Sequence, residues 1–142
     1  MRFWRFRKAR KRFSPLSVDE YYRLGEYNEH GRRTELVRGV VIEKLSKTPL
    51  HSGIGKVLYD SIISMLPKGY QVRREDPLTL SDSEPEPDIS VVLGSARALF
   101  QSHPSTAELV IEVSSAELNR ANASLYAEAG VKEYWIVLAN KN

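Results

Sequence analysis

Cysteine is absent from all 142 residues, which excludes disulfides, thiolate metal sites and cysteine nucleophiles together. Nor does any stretch approach the roughly 18–20 consecutive apolar residues that a membrane-spanning helix requires. The basic N-terminus is not followed by the apolar segment of a secretory signal. Internal repeats are missing too, and a reducing cytoplasm is the expected setting. What the chain does contain is an ordinary globular mixture, 42% apolar and 27% charged residues. Its length suits a single domain with a sizeable core.

The net charge of +3 is unevenly placed. Arg2, Arg5, Arg7, Lys8, Arg10, Lys11 and Arg12 fall within the first 13 residues, which hold no acid. Setting those seven aside from the 21 basic residues leaves 14 against 18 acids, so the rest of the chain carries about −4. Residues 1–13 therefore read as a basic arm on a mildly acidic body, residues 14–142. Phe3, Trp4, Phe6 and Phe13 interleave with the charges of the arm. Such a mixture suits nucleic-acid phosphates and stacked bases, or an anionic membrane surface. A frayed terminus without a role is the plain alternative.

Local patterning predicts the elements in order. Ser17-Val18-Asp19-Glu20 reads as a capping box opening a short helix that stops at Gly25. Glu35-Leu36-Val37 and Val40-Val41-Ile42 flank Arg38-Gly39 as in a tight hairpin. From His51 to Leu66, apolar Ile54, Val57, Leu58, Ile62, Met65 and Leu66 recur every three or four residues, predicting a helix with one buried stripe. Strands are expected at Tyr70–Arg74, around Leu78–Leu80, at Asp88–Leu93, Glu108–Val113 and Glu133–Leu138. A helix from about Ala116 to Ala129 separates the last two, so they should pair in parallel through a right-handed crossover. The expected fold is α/β (α+β in some schemes), a central mixed sheet flanked by helices.

Glu112 is the most informative residue. It sits within Leu109-Val110-Ile111 and Val113, a run expected to be covered on both faces, where an unpaired carboxylate is costly. Asp88 opens its own apolar strand after Glu84-Pro85-Glu86-Pro87. On neighbouring strands the two acids would repel, and a hard divalent cation would remove that penalty. A buried Glu paired with an arginine, or an Asp capping a strand turn, is the commoner explanation of such residues.

Read in order, the chain resembles the Uma-type family of restriction-endonuclease-like proteins, a branch of the PD-(D/E)xK nuclease superfamily. The resemblance is carried by Leu16-Ser17-Val18-Asp19-Glu20-Tyr21, Thr34-Glu35-Leu36-Val37-Arg38-Gly39, His51 opening a helix, and Glu86-Pro87-Asp88. It continues in Ile111-Glu112-Val113-Ser114 and in Leu125-Tyr126-Ala127-Glu128-Ala129-Gly130 running on to Trp135-Ile136-Val137. The resemblance implies a restriction-endonuclease-like fold and hydrolysis of phosphodiesters in DNA. Mg²⁺ or Mn²⁺ would be held by Asp88, Glu112 and the carbonyl of Val113. Glu35 matches a family acid completing the site, and His51 a histidine near it, with a helix-start residue whose side chain is satisfied as the equal alternative. Tyr126 and Trp135 are expected to pack, and Glu75 is read as a solvated strand end, with a further acid facing the cleft as the alternative.

The chain departs from the family at two points. The superfamily lysine two residues after the second acid is Ser114 here, and the Uma-type lysine of the following helix falls at Asn122, with Arg120 as the nearest cation. An amide carries no charge to stabilise a phosphoryl transition state, and a planar guanidinium does not reproduce an ammonium. The chain also ends at Asn142, where family members generally continue with further strands, so a C-terminally truncated copy is part of the expectation. Three functional classes stay open: an active endonuclease, working as a homodimer on two strands; a catalytically inactive descendant that binds nucleic acid or metal; and a structural oligomerisation module.

Overall fold

The computed structural model describes residues 14–25, 31–114 and 121–139; the basic arm and Arg120 lie outside them. Helix α1, Val18–Gly25, starts where its cap predicts. The Ser17 hydroxyl accepts from the Glu20 amide at 3.1 Å, and the Glu20 carboxylate accepts from the Ser17 amide at 3.2 Å.

Strands β1, Thr34–Val37, and β2, Val40–Glu43, form the expected antiparallel hairpin as a two-stranded sheet of its own. The turn is left-handed at both Arg38 (φ 48°) and Gly39 (φ 77°), the geometry whose twist matches a tight hairpin. Gly39 is required twice over, because a Cβ there would collide with Pro15. The hairpin docks through Leu36, which is fully buried and exchanges backbone hydrogen bonds with Glu84 at 2.8 and 3.3 Å.

Helix α2, Pro49–Met65, is capped by the Thr48 hydroxyl, which accepts from the His51 amide at 3.2 Å. That cap fixes the orientation of the first turn and therefore of His51. The buried stripe is narrower than the periodicity implies. Ile54, Leu58, Ile62 and Leu66, spaced by four, are half-buried, whereas Val57 and Met65 face solvent. The three-residue steps turn those two off the line that meets the sheet.

The main sheet has the order β3-β4-β5-β6, with β3 Tyr70–Arg74, β4 Ile89–Leu93, β5 Leu109–Ser114 and β6 Glu133–Leu138. The first three strands are antiparallel and β5 pairs in parallel with β6, through a crossover whose described helix is α3, Ala121–Glu128. The mixed sheet is thus the predicted one. No strand forms at Leu78–Leu80. Leu78 donates to the Pro85 carbonyl at 2.9 Å and Leu80 to Ser83 at 2.8 Å, but Pro85 has no amide to return, so no ladder propagates.

The core gathers Leu78, Val92, Ala107, Val110 and Tyr126 between the sheet and α3. Trp135 is not part of it. The residue is 46% exposed, and its indole Nε1 donates to Glu133 at 3.0 Å. Among the described residues, no helix is long and apolar enough to cross a membrane.

Candidate functional site

Ile89 on β4 pairs with Ile111 on β5. One further step of that antiparallel register sets Asp88 beside Glu112, and residues directly opposed across such strands project to the same face. Both acids are nearly buried, Asp88 7% and Glu112 8% exposed. They meet at the floor of a cleft of about 320 Å³. Glu35 from β1, Lys44 and Lys47 from the β2–α2 loop, His51 from α2 and Asn122 from α3 stand around them.

The neighbours of the two carboxyls push them in opposite directions. Burial alone would raise the Asp88 carboxyl, but three groups reverse it and hold it below the usual carboxylate range. The Val113 amide donates to Oδ2 at 2.7 Å. The Lys47 ammonium lies 3.2 Å from Oδ1, and His51 Nε2 donates to the same oxygen at 3.2 Å. Glu112 is driven the other way. Burial raises it first and the charge of Asp88 second, to about 8, with Lys44 and the Tyr126 hydroxyl only partly offsetting them. Their surroundings thus pull the two carboxyls apart, a pattern that functional sites share with structural ion-pair networks.

Glu35 is brought to the cleft by the docking of its hairpin. Its Oε2 accepts from the Glu86 amide at 3.1 Å, directly ahead of Pro87-Asp88. Lys44 donates to the Glu86 carbonyl at 2.6 Å and ties the β2–α2 loop to the same approach segment. Asn122 lines the cleft, and its amide adds no charge there.

Three further residues reach the two acids, and of these only Lys47 was not singled out in the sequence. Glu75 is not a solvated strand end: its carboxylate pairs with Lys47 and lies 3.6 Å from Arg33. Lys47 itself carries only a faint local signal, since residues 44–51 hold two lysines and no acid. Tyr126 packs as expected, yet its hydroxyl also donates to Glu112 Oε1 at 3.0 Å.

The donor set agrees with a magnesium-like ion. Among the described residues no group of three or more His, Asp or Glu side chains converges to cage a metal. Mg²⁺ needs no such cage, because it keeps much of its water and is commonly held by one or two carboxylates. A divalent charge would also offset the burial and the Asp88 charge that raise the Glu112 carboxyl.

A family model described as "Uma2: Putative restriction endonuclease" matches residues 18–142. The fold resembles a crystal structure from Anabaena variabilis, described as a putative nuclease belonging to DUF820, with a TM-score of 0.66. The two are 21% identical, and the match covers 86% of this chain and 73% of that one. No curated protein matches.

Proposed function

The chain belongs to the Uma2 family of restriction-endonuclease-like proteins, and from that premise we propose that it is a divalent-metal-dependent endonuclease that hydrolyses phosphodiester bonds in DNA. The observation that carries this reading is the opposed pair Asp88 and Glu112, one carboxyl depressed and one raised, on the floor of a shared cleft.

Asp88 and Glu112 would hold Mg²⁺ or Mn²⁺. Val113 supports a third, carbonyl ligand. The register sets it across from Pro87, which has no amide to occupy that carbonyl, and its own amide is already committed to Asp88. The bound ion supplies Lewis acidity, polarising the phosphodiester and making water a better nucleophile. The chain's own residues orient that chemistry. The Val113 amide and His51 fix both oxygens of Asp88, and the Tyr126 hydroxyl fixes one oxygen of Glu112. Glu35, which lines the same cleft, would complete the site. In the net reaction a water oxygen bonds to phosphorus, one ester P–O bond breaks, and the departing oxygen takes a proton.

Arg2, Arg5, Arg7, Lys8, Arg10, Lys11 and Arg12 supply charge for backbone phosphates. A twofold pair of chains would bring two clefts to the two strands of a duplex. The cysteine-free composition supports a cytoplasmic setting. Asn122 favours a second reading, a descendant that binds metal and DNA without cutting.

Nicking of supercoiled plasmid decides between them. The proposal expects nicking that requires Mg²⁺ or Mn²⁺, stops in EDTA, and falls at least about 100-fold in Asp88→Ala and Glu112→Ala. Metal-dependent DNA binding without nicking would establish the silent descendant. No response to metal and no DNA binding would leave the structural module.

A further inference from the structure

We propose that Lys47 supplies the cationic charge that α3 lacks at Asn122, and that Glu75 positions it; the inference rests on the reading of Asp88 and Glu112 as a metal-dependent phosphodiesterase site.

The placement of Lys47 is the first support. Lysine side chains on loops ordinarily run out to water, yet this one is only 16% exposed and turns inward. Its ammonium lies 3.2 Å from Asp88 Oδ1, the same oxygen that His51 holds, and pairs with the Glu75 carboxylate. It enters from the β2–α2 loop, whereas the family lysine resembled at the sequence level would enter from α3. Two different elements thus border one cleft, and the charged group comes from the one that Asn122 does not occupy.

Glu75 is the second support. It is a non-glycine residue in the left-handed region, with φ 58°, a conformation that costs of order 1 kcal/mol or more and concentrates at functional sites. The conformation is held because the Glu75 amide donates to the Asp88 carbonyl at 3.1 Å. One strained residue therefore touches Asp88 through its backbone and Lys47 through its side chain. That coupling sets the ammonium relative to the acid.

Lys44 shows the contrast. It is equally shielded, but its ammonium is spent on the Glu86 carbonyl at 2.6 Å, with the Glu86 carboxylate 3.9 Å away. Lys44 ties the loop down. Lys47 holds only carboxylates, and its four-carbon stem lets the ammonium pass from Asp88 to a phosphate oxygen without moving the loop. There it would offset the negative charge that grows on the phosphoryl oxygens.

The test uses the full chain with Lys47→Met, Glu75→Gln and the double variant Lys47→Met/Asn122→Lys. Three quantities are read: the rise in melting temperature with Mg²⁺, the affinity for a short DNA duplex in Ca²⁺ at several salt concentrations, and plasmid nicking. Lys47→Met is expected to keep the Mg²⁺ response. It should release about one counterion fewer on DNA binding and nick about 100-fold more slowly. Glu75→Gln should fall between it and the parent, and the double variant should recover part of the nicking rate. If Lys47→Met destabilises the fold, Lys47→Gln reads the same quantities.

A Lys47→Met protein with the parent salt dependence and the parent nicking rate overturns the inference and reduces Lys47 to a counter-ion of Asp88. In a parent that binds DNA without nicking, the salt dependence alone decides. Absence of any Mg²⁺ response in the parent is a different failure, that of the metal site itself, and it takes the inference with it.

Discussion

The hydroxyl of Tyr126 donates to Glu112 Oε1 at 3.0 Å, joining a fully buried ring on α3 to the acid on β5. The contact couples core packing to the candidate site. Burial and the neighbouring Glu112 carboxyl both raise the phenol above its usual range, so it stays a donor. Glu112 is thereby held by a group that cannot compete for a cation.

Removing that hydroxyl alone should be informative. Tyr126→Phe keeps the ring and is expected to lower unfolding free energy by about 1 kcal/mol, a typical net value for one buried hydrogen bond. Urea denaturation measures it. A loss above about 3 kcal/mol would mean the ring had moved, and no loss would mean that the bond is not formed.

Metal binding should appear as stability. At a hundredfold excess of Mg²⁺ over its dissociation constant, linkage predicts a gain of about 2.7 kcal/mol. Thermal melts with and without EDTA check this. Asp88→Asn and Glu112→Ala should each erase the gain, and an unchanged rise in either one removes that acid from the site.

The pH dependence follows from the sign of each shift. Glu112 is raised from 4.5 to about 8 in the folded chain, so its neutral form stabilises the metal-free protein at low pH. That contribution is lost as pH climbs through about 8. Asp88 is depressed below 3.8, and its contribution is lost only on acidification. Among the described residues, Glu112 is the group whose resolved shift falls between these limits. The metal-free melting temperature should therefore fall between pH 5 and 9, and Glu112→Gln should flatten the fall. An identical slope in that variant would contradict the assignment.

At the hairpin, Gly39→Ala must hold φ 77° and push a methyl group into Pro15. A loss of about 1–3 kcal/mol is expected. Because the hairpin carries Glu35, a slower nicking rate should accompany it. A neutral effect in denaturant would show that Pro15 simply yields.

Deleting residues 1–13 removes seven positive charges. Titrations of DNA at increasing salt should then show weaker binding and a flatter dependence. Unchanged affinity would leave the arm without a role in binding.

Much of this protein was readable residue by residue. Ser17 and Glu20 announced a helix start, Arg38-Gly39 a hairpin, and the run around Ile111 an inner strand paired in parallel with β6. Asp88 and Glu112 were visible for a related reason: an acid inside an apolar strand is an anomaly detectable from its immediate neighbours. Leu78–Leu80 misled because a strand needs a partner's amides as well as its own residues, and Pro85 withholds one.

The amino-acid sequence by itself determined these local choices, because capping, turn chirality and side-chain alternation depend on residues a few positions apart. Only the tertiary structure decided that Lys47 and Glu75 reach Asp88, that Tyr126 reaches Glu112, and that Trp135 stays outside the core. Those outcomes depend on how distant elements dock. Docking is settled by shape and burial summed over the whole molecule, for which no single stretch of chain carries a periodic signature.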